Sequence, residues 1–305
     1  MSTRIYAIGL DVGGTKIAGG VVDLATGRVI IRDVIPTLAQ RGGAAVLDDC
    51  VALAQRLQSQ ATAAGFSLAG MGVGVCELVD PAGRVTDAYN FDWRDLPVRE
   101  RFSSIAPTVI EADVRAAALA EARYGAGRPY QLFVYVTVGT GISYCLMQEG
   151  RPLVGARGNA LAFASAPLTT TCPRCGIMIH DILETFAGGP GLVRRYNQLA
   201  LAPVHSGQAV LAAATAGDEQ AIAVVTSAGA ALGNSVAFLC NVLDPEAVIV
   251  GGGLGLASGR YWESFVQATR EHIYAANTRT LPILQAALDV DAGIVGAAAA
   301  SQSRD

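Results

Sequence analysis

Three glycine-rich turns and one acidic strand end are the groups in this chain whose types and spacing suit the handling of a polyphosphate. The first turn lies in Leu10-Asp11-Val12-Gly13-Gly14-Thr15-Lys16, where a carboxylate ends an apolar run and a glycine pair follows at once. Glycines at Gly13 and Gly14 let backbone N–H groups come close to a phosphate, Thr15 adds a hydroxyl donor, and Lys16 closes the turn. Asp11 beside them has the chemistry to hold a hydrated Mg²⁺. An ordinary tight hairpin with a capping aspartate has the same local pattern, so the turn by itself decides little. Its design returns much later in Val136-Thr137-Val138-Gly139-Thr140-Gly141, and a third turn, Gly251-Gly252-Gly253, follows a strand directly. Two such hairpins facing each other would clamp the β- and γ-phosphates of a nucleotide, and the third would offer a flat surface to adenosine.

The acidic strand end is Ile110-Glu111-Ala112-Asp113-Val114-Arg115, ahead of an alanine-rich stretch from Ala116 to Tyr124. Phosphoryl transfer needs a carboxylate that orients the attacking hydroxyl and takes its proton, and an aspartate at a strand-to-helix junction projects where such a group is needed. Asp113 is therefore the candidate base. Its alternative role is N-cap of the helix that follows, which does not exclude catalysis.

The elements that must position these groups are legible from periodicity. Ile5 to Leu10 is a continuous apolar run, as a strand buried on both faces should be. Ile17 to Val22 and Arg28 to Arg32 return as strands around Asp23-Leu24-Ala25-Thr26-Gly27, Ala44 to Ala64 has helical spacing, and Met71 to Val75 is another short strand. The opening pattern is β-β-β-α-β. Phe133 to Val138 and Ser143 to Leu146 pair around the second glycine turn, and a long core helix is expected up to Leu243 with Asp218 as its N-cap, before the strand Ala247 to Val250. Two phosphate hairpins on two similar halves predict an α/β, two-lobed fold of the actin/hexokinase (ribonuclease H-like) type with an interlobe cleft. The expected lobes are residues 1–113 plus 288–305 and residues 114–287.

The bulk numbers agree with a folded enzyme. Of 305 residues about half are apolar and 16% charged, which leaves no segment poor enough in hydrophobic residues for disorder. A net charge of −4 with scattered basic residues argues against nucleic-acid or membrane-surface partners. The short N-terminal strand lacks the form of a signal peptide or membrane span, so a cytoplasmic location is expected. Six cysteines are too few for a disulfide scaffold, and Cys50, Cys76, Cys145 and Cys240 read as reduced, mostly buried thiols.

Taken together, the Asp11 to Lys16 segment, Glu111-Ala112-Asp113 ahead of Ala116-Ala117-Ala118-Leu119-Ala120-Glu121, Gly139-Thr140-Gly141 and Val250-Gly251-Gly252-Gly253 resemble the ROK family of bacterial sugar kinases and sugar-responsive repressors. The resemblance runs in register over nearly the whole chain. It implies ATP and Mg²⁺ as cofactors, Asp113 as general base, a homodimer, and phosphorylation of a small-molecule polyol on a primary hydroxyl. The repressors of the family carry a helix-turn-helix ahead of the first strand, which this sequence does not show. A binding module without catalysis is disfavoured by the retention of Asp11, Asp113 and both phosphate turns.

Departures from the family pattern concern the acceptor. The family's usual Asn before the catalytic Asp is Ala112 here, and its Glu-x-Gly-His segment reads Ala162-Phe163-Ala164-Ser165. In the family that Glu and His grip the anomeric end of the sugar. The usual Pro-Gly after the Met71 to Val75 strand is Cys76-Glu77, which puts a carboxylate near the expected acceptor pocket. A buried sugar hydroxyl left without partners costs about 1 to 3 kcal/mol, so losing several together disfavours plain glucose. Relatives acting on C7-cyclitols such as 2-epi-5-epi-valiolone, or on amino sugars such as kanosamine, occur in antibiotic pathways. The cyclitol is favoured because a carbocycle has no anomeric hydroxyl. Glucokinase or kanosamine 6-kinase activity is the alternative, the latter with Glu77 pairing an ammonium. Glu77, Asn90, Asp92, Arg115, Arg157 and Asn159 are the polar candidates for reading the acceptor.

Cys172-Pro173-Arg174-Cys175-Gly176 has the spacing of a zinc knuckle and falls where the family carries its zinc motif. His180 offers a third ligand, with Ser165 where the family has its His. Zinc is thus a possible cofactor, and a vestigial or reversibly oxidised thiol pair is the alternative.

Overall fold

A computed structural model of the chain describes residues 5–171 and 176–302. It divides into two compact units, Met1–Pro129 with Met147–Leu161 and Ala287–Asp305, and Tyr130–Leu146 with Ala162–Ala286.

In the first unit, β1 (Tyr6–Val12), β2 (Lys16–Asp23) and β3 (Arg28–Pro36) form the expected meander, followed by α1 (Gly43–Ala63), β4 (Leu68–Val75), α2 (Val98–Ser103), β5 (Thr108–Ala112) and α3 (Asp113–Tyr124). The sheet order is β3-β2-β1-β4-β5. The hairpin strands are antiparallel, while β1, β4 and β5 run parallel in a register that aligns Val12 with Val75 and Val75 with Ala112. That alignment brings the carboxyl ends of three strands, and the residues just beyond them, to one edge of the sheet. Strand β1 is buried along almost its whole length, which explains its unbroken apolar sequence, whereas β3 alternates as an edge strand should.

The helix Ala292–Ala300 closes this unit at backbone contact distance. A β-carbon on Gly9 or Gly72 would collide with the carbonyls of Ile294 or Ala297, and one on Gly296 with the carbonyl of Ala116. Small residues on both sides are what permit that approach. The same contact keeps α3 in the first unit, so the division falls after Pro129 and not at Asp113 as the sequence had placed it.

The second unit contains β6 (Leu132–Val138) and most of β7 (Ile142–Gln148), whose end turns back as β8 (Arg151–Pro152) with Met147 opposite Pro152. It continues with β9 (Pro167–Thr171), β10 (Met178–Ile182), α4 (Leu183–Ala187), α5 (Gly189–Asn197), α6 (Gly207–Thr215), α7 (Glu219–Leu243), β11 (Ala247–Gly251), α8 (Arg260–His272) and β12 (Ile283–Gln285). Its sheet runs β12-β11-β6-β7, with β11 parallel to both β6 and β12. Asp218 caps α7 as expected, its carboxylate accepting from Gln220 N at 2.9 Å and Ala221 N at 3.0 Å. By length and composition α7 is, among the described residues, the one helix able to cross a membrane, and more than half of its apolar stretch is buried within the unit. Leu232 and Val236 on α7 belong to the same buried cluster as Val134, Val136 and Val248 of the sheet.

Candidate active site

At the carboxyl edge of the first sheet, Asp11 is the penultimate residue of β1, Cys76 and Glu77 follow β4, and Asp113 opens α3 directly after β5. Parallel pairing is the reason three acidic groups so distant in sequence share one edge. Among the described residues Asp113 Oδ1 accepts only from its neighbour Val114 N, at 2.6 Å, and Ala112 is the N-cap. Asp113 is the first helical residue. Burial pushes its carboxyl up to about 7, the charges of Asp11 and Glu77 add to this, and the Val114 N–H and the Arg115 guanidinium pull the other way. Asp11 is raised by burial too, against the attraction of Lys16. The Cys76 thiol is held far above its usual range by burial and by the charges of Asp113, Glu77 and Asp11, so it stays protonated and is no nucleophile.

No protein donor among the described residues bonds the Asp11 carboxylate. An accessible, unshared carboxylate of this kind fits the outer shell of a hydrated Mg²⁺. The turn that follows is closed by Gly13 N donating to Lys16 O at 3.0 Å and by Thr37 Oγ1 donating to Gly13 O at 2.6 Å. Thr15 and Lys16 are exposed at its tip. A β-carbon at Gly14 would sit 2.5 Å from Asn90 Oδ1, so the Asn90 side chain lies over the turn.

The other acceptor candidates are placed differently from one another. Glu77 is 3% exposed and its carboxylate accepts from Tyr89 N at 2.7 Å, Asn90 N at 2.6 Å and Phe91 N at 3.2 Å. Asp92 is on the surface in a two-bond pair with Arg94, which draws its carboxyl down to about 2. The loop between them is anchored by buried Trp93, whose Nε1 donates to Gly43 O at 2.9 Å. Arg115 is 1% exposed and fully engaged, with Nε on Glu111 at 2.5 Å, Nη1 on Gly158 O at 2.7 Å and Nη2 on Val79 O at 2.8 Å. It is a strut under the Gly155 to Asn159 loop and does not read an acceptor. Arg157 and Asn159, on either side of the strutted Gly158, are exposed.

In the second unit the Gly139 turn is closed by Gly139 N donating to Gly141 O at 2.9 Å and is braced by Gly189 N, the start of α5, donating to Gly139 O at 2.8 Å. Glu184 Oε2 accepts from Ile142 N at 2.9 Å on the same turn. Leu254 N and Gly255 N both donate to Val138 O, which brings Gly251-Gly252-Gly253 beside Gly139-Thr140-Gly141 at the ends of β11 and β6. The second predicted phosphate turn and the turn expected to face adenosine are therefore neighbours within one unit.

Of the expected zinc ligands, Cys172 and Cys175 lie outside the described residues. His180 is exposed on β10, its Nδ1 3.2 Å from Thr169 Oγ1, and Ser165 Oγ donates to Ala162 O at 2.7 Å within its own turn. No group of three or more His, Cys, Asp or Glu side chains is arranged for a metal among the described residues.

The model of the ROK family matches residues 7–304. The chain belongs to the ROK family. A glucokinase of Halalkalibacterium halodurans is 30% identical to it over 97% of this chain and 94% of the relative, and an N-acetylmannosamine kinase of Citrobacter koseri is 28% identical over 97% and 98%. Among solved structures, a ROK family glucokinase from Streptomyces griseus in complex with glucose and AMPPNP superposes with a TM-score of 0.81 at 28% identity, covering 96% of this chain and 98% of that one. A ROK hexokinase from Thermus thermophilus gives 0.78 at 32% identity, with 96% and 97% covered. The fold is accordingly the α/β actin/hexokinase type that the glycine turns implied.

Three functional roles in this ROK chain escaped sequence reasoning. Arg115 had one visible signal, its i,i+4 spacing from Glu111, but the carbonyls of Val79 and Gly158 had none. The amides bound by Glu77 lie a dozen residues onward in an irregular loop, and the bracing of the second turn by Glu184 crosses from β7 to α4.

Proposed function

We propose that this ROK protein is an ATP-dependent kinase that transfers the γ-phosphoryl group to a hydroxyl of a sugar-like polyol. The observation that carries the reading is Asp113: a partly buried carboxyl at the first turn of α3, raised to about 7 beside Asp11 and Glu77, with one weakly competing local bond. A base with a pKa near the working pH combines a populated ionised form with real proton affinity. The acceptor hydroxyl donates to Asp113. As its oxygen forms the new bond to the γ-phosphorus, the bond from that phosphorus to the bridging oxygen breaks, the electron pair leaves on ADP, and the acceptor proton passes to Asp113. Mg²⁺, when bound, supplies charge neutralisation to the phosphates. Asp11 would hold it through water, while the backbone amides of Gly14 and Thr15 and of Thr140 and Gly141 bind phosphate oxygens, those of Gly13 and Gly139 being engaged in closing their own turns. Lys16 adds a positive charge, and Gly251, Gly252 and Gly253 face the adenosine.

The favoured acceptor is a C7-cyclitol such as 2-epi-5-epi-valiolone. Ala162 and Ser165 stand where family members grip an anomeric centre, Ala112 stands where they have an Asn for sugar hydroxyls, and the Ser165 hydroxyl is already engaged by Ala162 O. Glu77 accepts three main-chain amides, which weakens the case for its pairing an amino-sugar ammonium. Asn90, Asp92, Arg157 and Asn159 remain the exposed polar groups for reading the acceptor. The glucokinase relatives support glucose as the second reading.

A coupled ADP-release assay with ATP and Mg²⁺ tests this against glucose, N-acetylmannosamine, kanosamine and valiolone-type cyclitols. Turnover of a cyclitol with glucose inert is the expected outcome. Robust glucose turnover replaces the cyclitol reading with the glucokinase one, and no turnover of any polyol rejects the kinase reading.

A further inference from the structure

The Glu77 carboxylate sits at the carboxyl edge shared by Asp11 and Asp113. A buried ionised carboxylate is stable only if its oxygens are well bonded, and three main-chain N–H donors meet that need. The three donors are consecutive residues, Tyr89, Asn90 and Phe91, so one side chain fixes the whole turn. Asn90 is the central one. Its side chain lies over Gly14, and its Nδ2 is 3.4 Å from Cys76 O, the carbonyl immediately before Glu77. Buried Phe91 and Trp93 hold the loop beyond Asn90, and the Glu77 carboxylate is what fixes the main chain at exposed Asn90 and Tyr89 themselves.

We infer that Glu77 is a positioning residue: by binding the amides of Tyr89, Asn90 and Phe91 it locks Asn90 against the Gly13-Gly14 turn, so that acceptor recognition and the phosphate turn form one rigid unit. The inference rests on the proposed reading of Asn90 as an acceptor contact. Glu77 acts through Asn90 and touches neither substrate.

Two measurements test it. Hydrogen exchange on the unaltered protein should show the amides of Tyr89, Asn90 and Phe91 slowed at least tenfold relative to an unstructured chain, although Tyr89 and Asn90 are exposed residues. Unslowed exchange there would overturn the anchor whatever the enzyme acts on. The second is a cycle of E77Q, N90A and the double variant, read as kcat/KM for the turned-over acceptor beside each variant's Tm. The isosteric Gln keeps the volume of Glu77 but turns one acceptor oxygen into a donor facing a backbone N–H. Each single variant should lose at least tenfold in kcat/KM, and the double should be no worse than N90A, because Glu77 has nothing to position once Asn90 is gone. Losses that multiply would show that Glu77 acts independently of Asn90 and would sink the proposal. Parental kinetics in N90A would sink its link to the acceptor, while a protein inactive toward every polyol but with protected amides would instead refute the kinase reading.

Discussion

The first and second glycine turns are built from the same local pattern and stand in contrasting electrostatic surroundings. Around Gly13-Gly14, three acidic side chains share one sheet edge, and two of them, Asp11 and Asp113, have their carboxyls raised by burial. Around Gly139-Thr140-Gly141 the nearby carboxylate, Glu184, bonds the turn's own backbone. One turn has two carboxyls beside it that burial raises, and the other has a carboxylate tied into its own backbone. Strained carboxylates are where proton transfer and cation binding are done, whereas a satisfied one only keeps a cradle in shape.

The sharpest way to break that contrast is Asp113→Asn. It should lower kcat by about 10² to 10⁴-fold, as loss of a general base does. In the same variant stability should move the opposite way. Asp113 has a folded pKa near 7 against 3.8 unfolded, so the folded state holds the proton more tightly and stability declines as pH rises from about 4 to about 7. Denaturant titration at pH 8 should find the variant the more stable by at least about 1 kcal/mol, with the gain fading toward pH 4. For the parent enzyme, kcat/KM should rise with pH through a limb near 7 and level off above it, set by burial together with Asp11, the Val114 N–H, Arg115 and Glu77. A limb near 4 would mean Asp113 is not the base.

Asp11→Asn comes next, with an expected loss of about tenfold to a hundredfold that shows as a raised Mg²⁺ requirement in a metal titration, since the charge facing the hydrated ion is gone. In the second unit, Glu184→Ala should raise the KM for ATP about three- to tenfold by loosening the turn, and leave the acceptor KM within twofold. Equal effects on both KM values would erase the distinction between the turns. The smallest effect is expected from Asp92→Asn, which gives up a surface pair with Arg94 and should leave Tm unchanged, with at most a severalfold rise in acceptor KM.

The parts legible in the sequence were those governed by short-range rules. Continuous apolar runs gave β1, β4 and β11, helical spacing gave α1 and α7, and Asp218 was visible as a cap because capping is decided within three residues. Cys50, Cys145 and Cys240 are buried, as their apolar neighbours implied. Asp113 was legible as a residue, but its elevated pKa was not, because that depends on strands brought side by side by pairing. Arg115 and Glu77 looked like acceptor-reading groups because a charged side chain near a site is read as a contact until the carbonyls and amides that occupy it are known. The division of the chain was shifted by a packing contact between small residues, Ala116 and Gly296, that no periodicity announces.

The tight seat of the helix Ala292–Ala300 against Gly9, Gly72 and Ala116 has a consequence for biosynthesis. A ribosome releases β1 early and this helix only after every residue of the second unit, 130–146 and 162–286, has been made. The first unit therefore stays without the helix that covers its sheet until the whole chain has been made, although all five strands of that sheet are present by Ala112. A chain truncated between Ala286 and Ala292 would keep the strands that carry Asp11 and lead into Asp113 and would leave their apolar face uncovered.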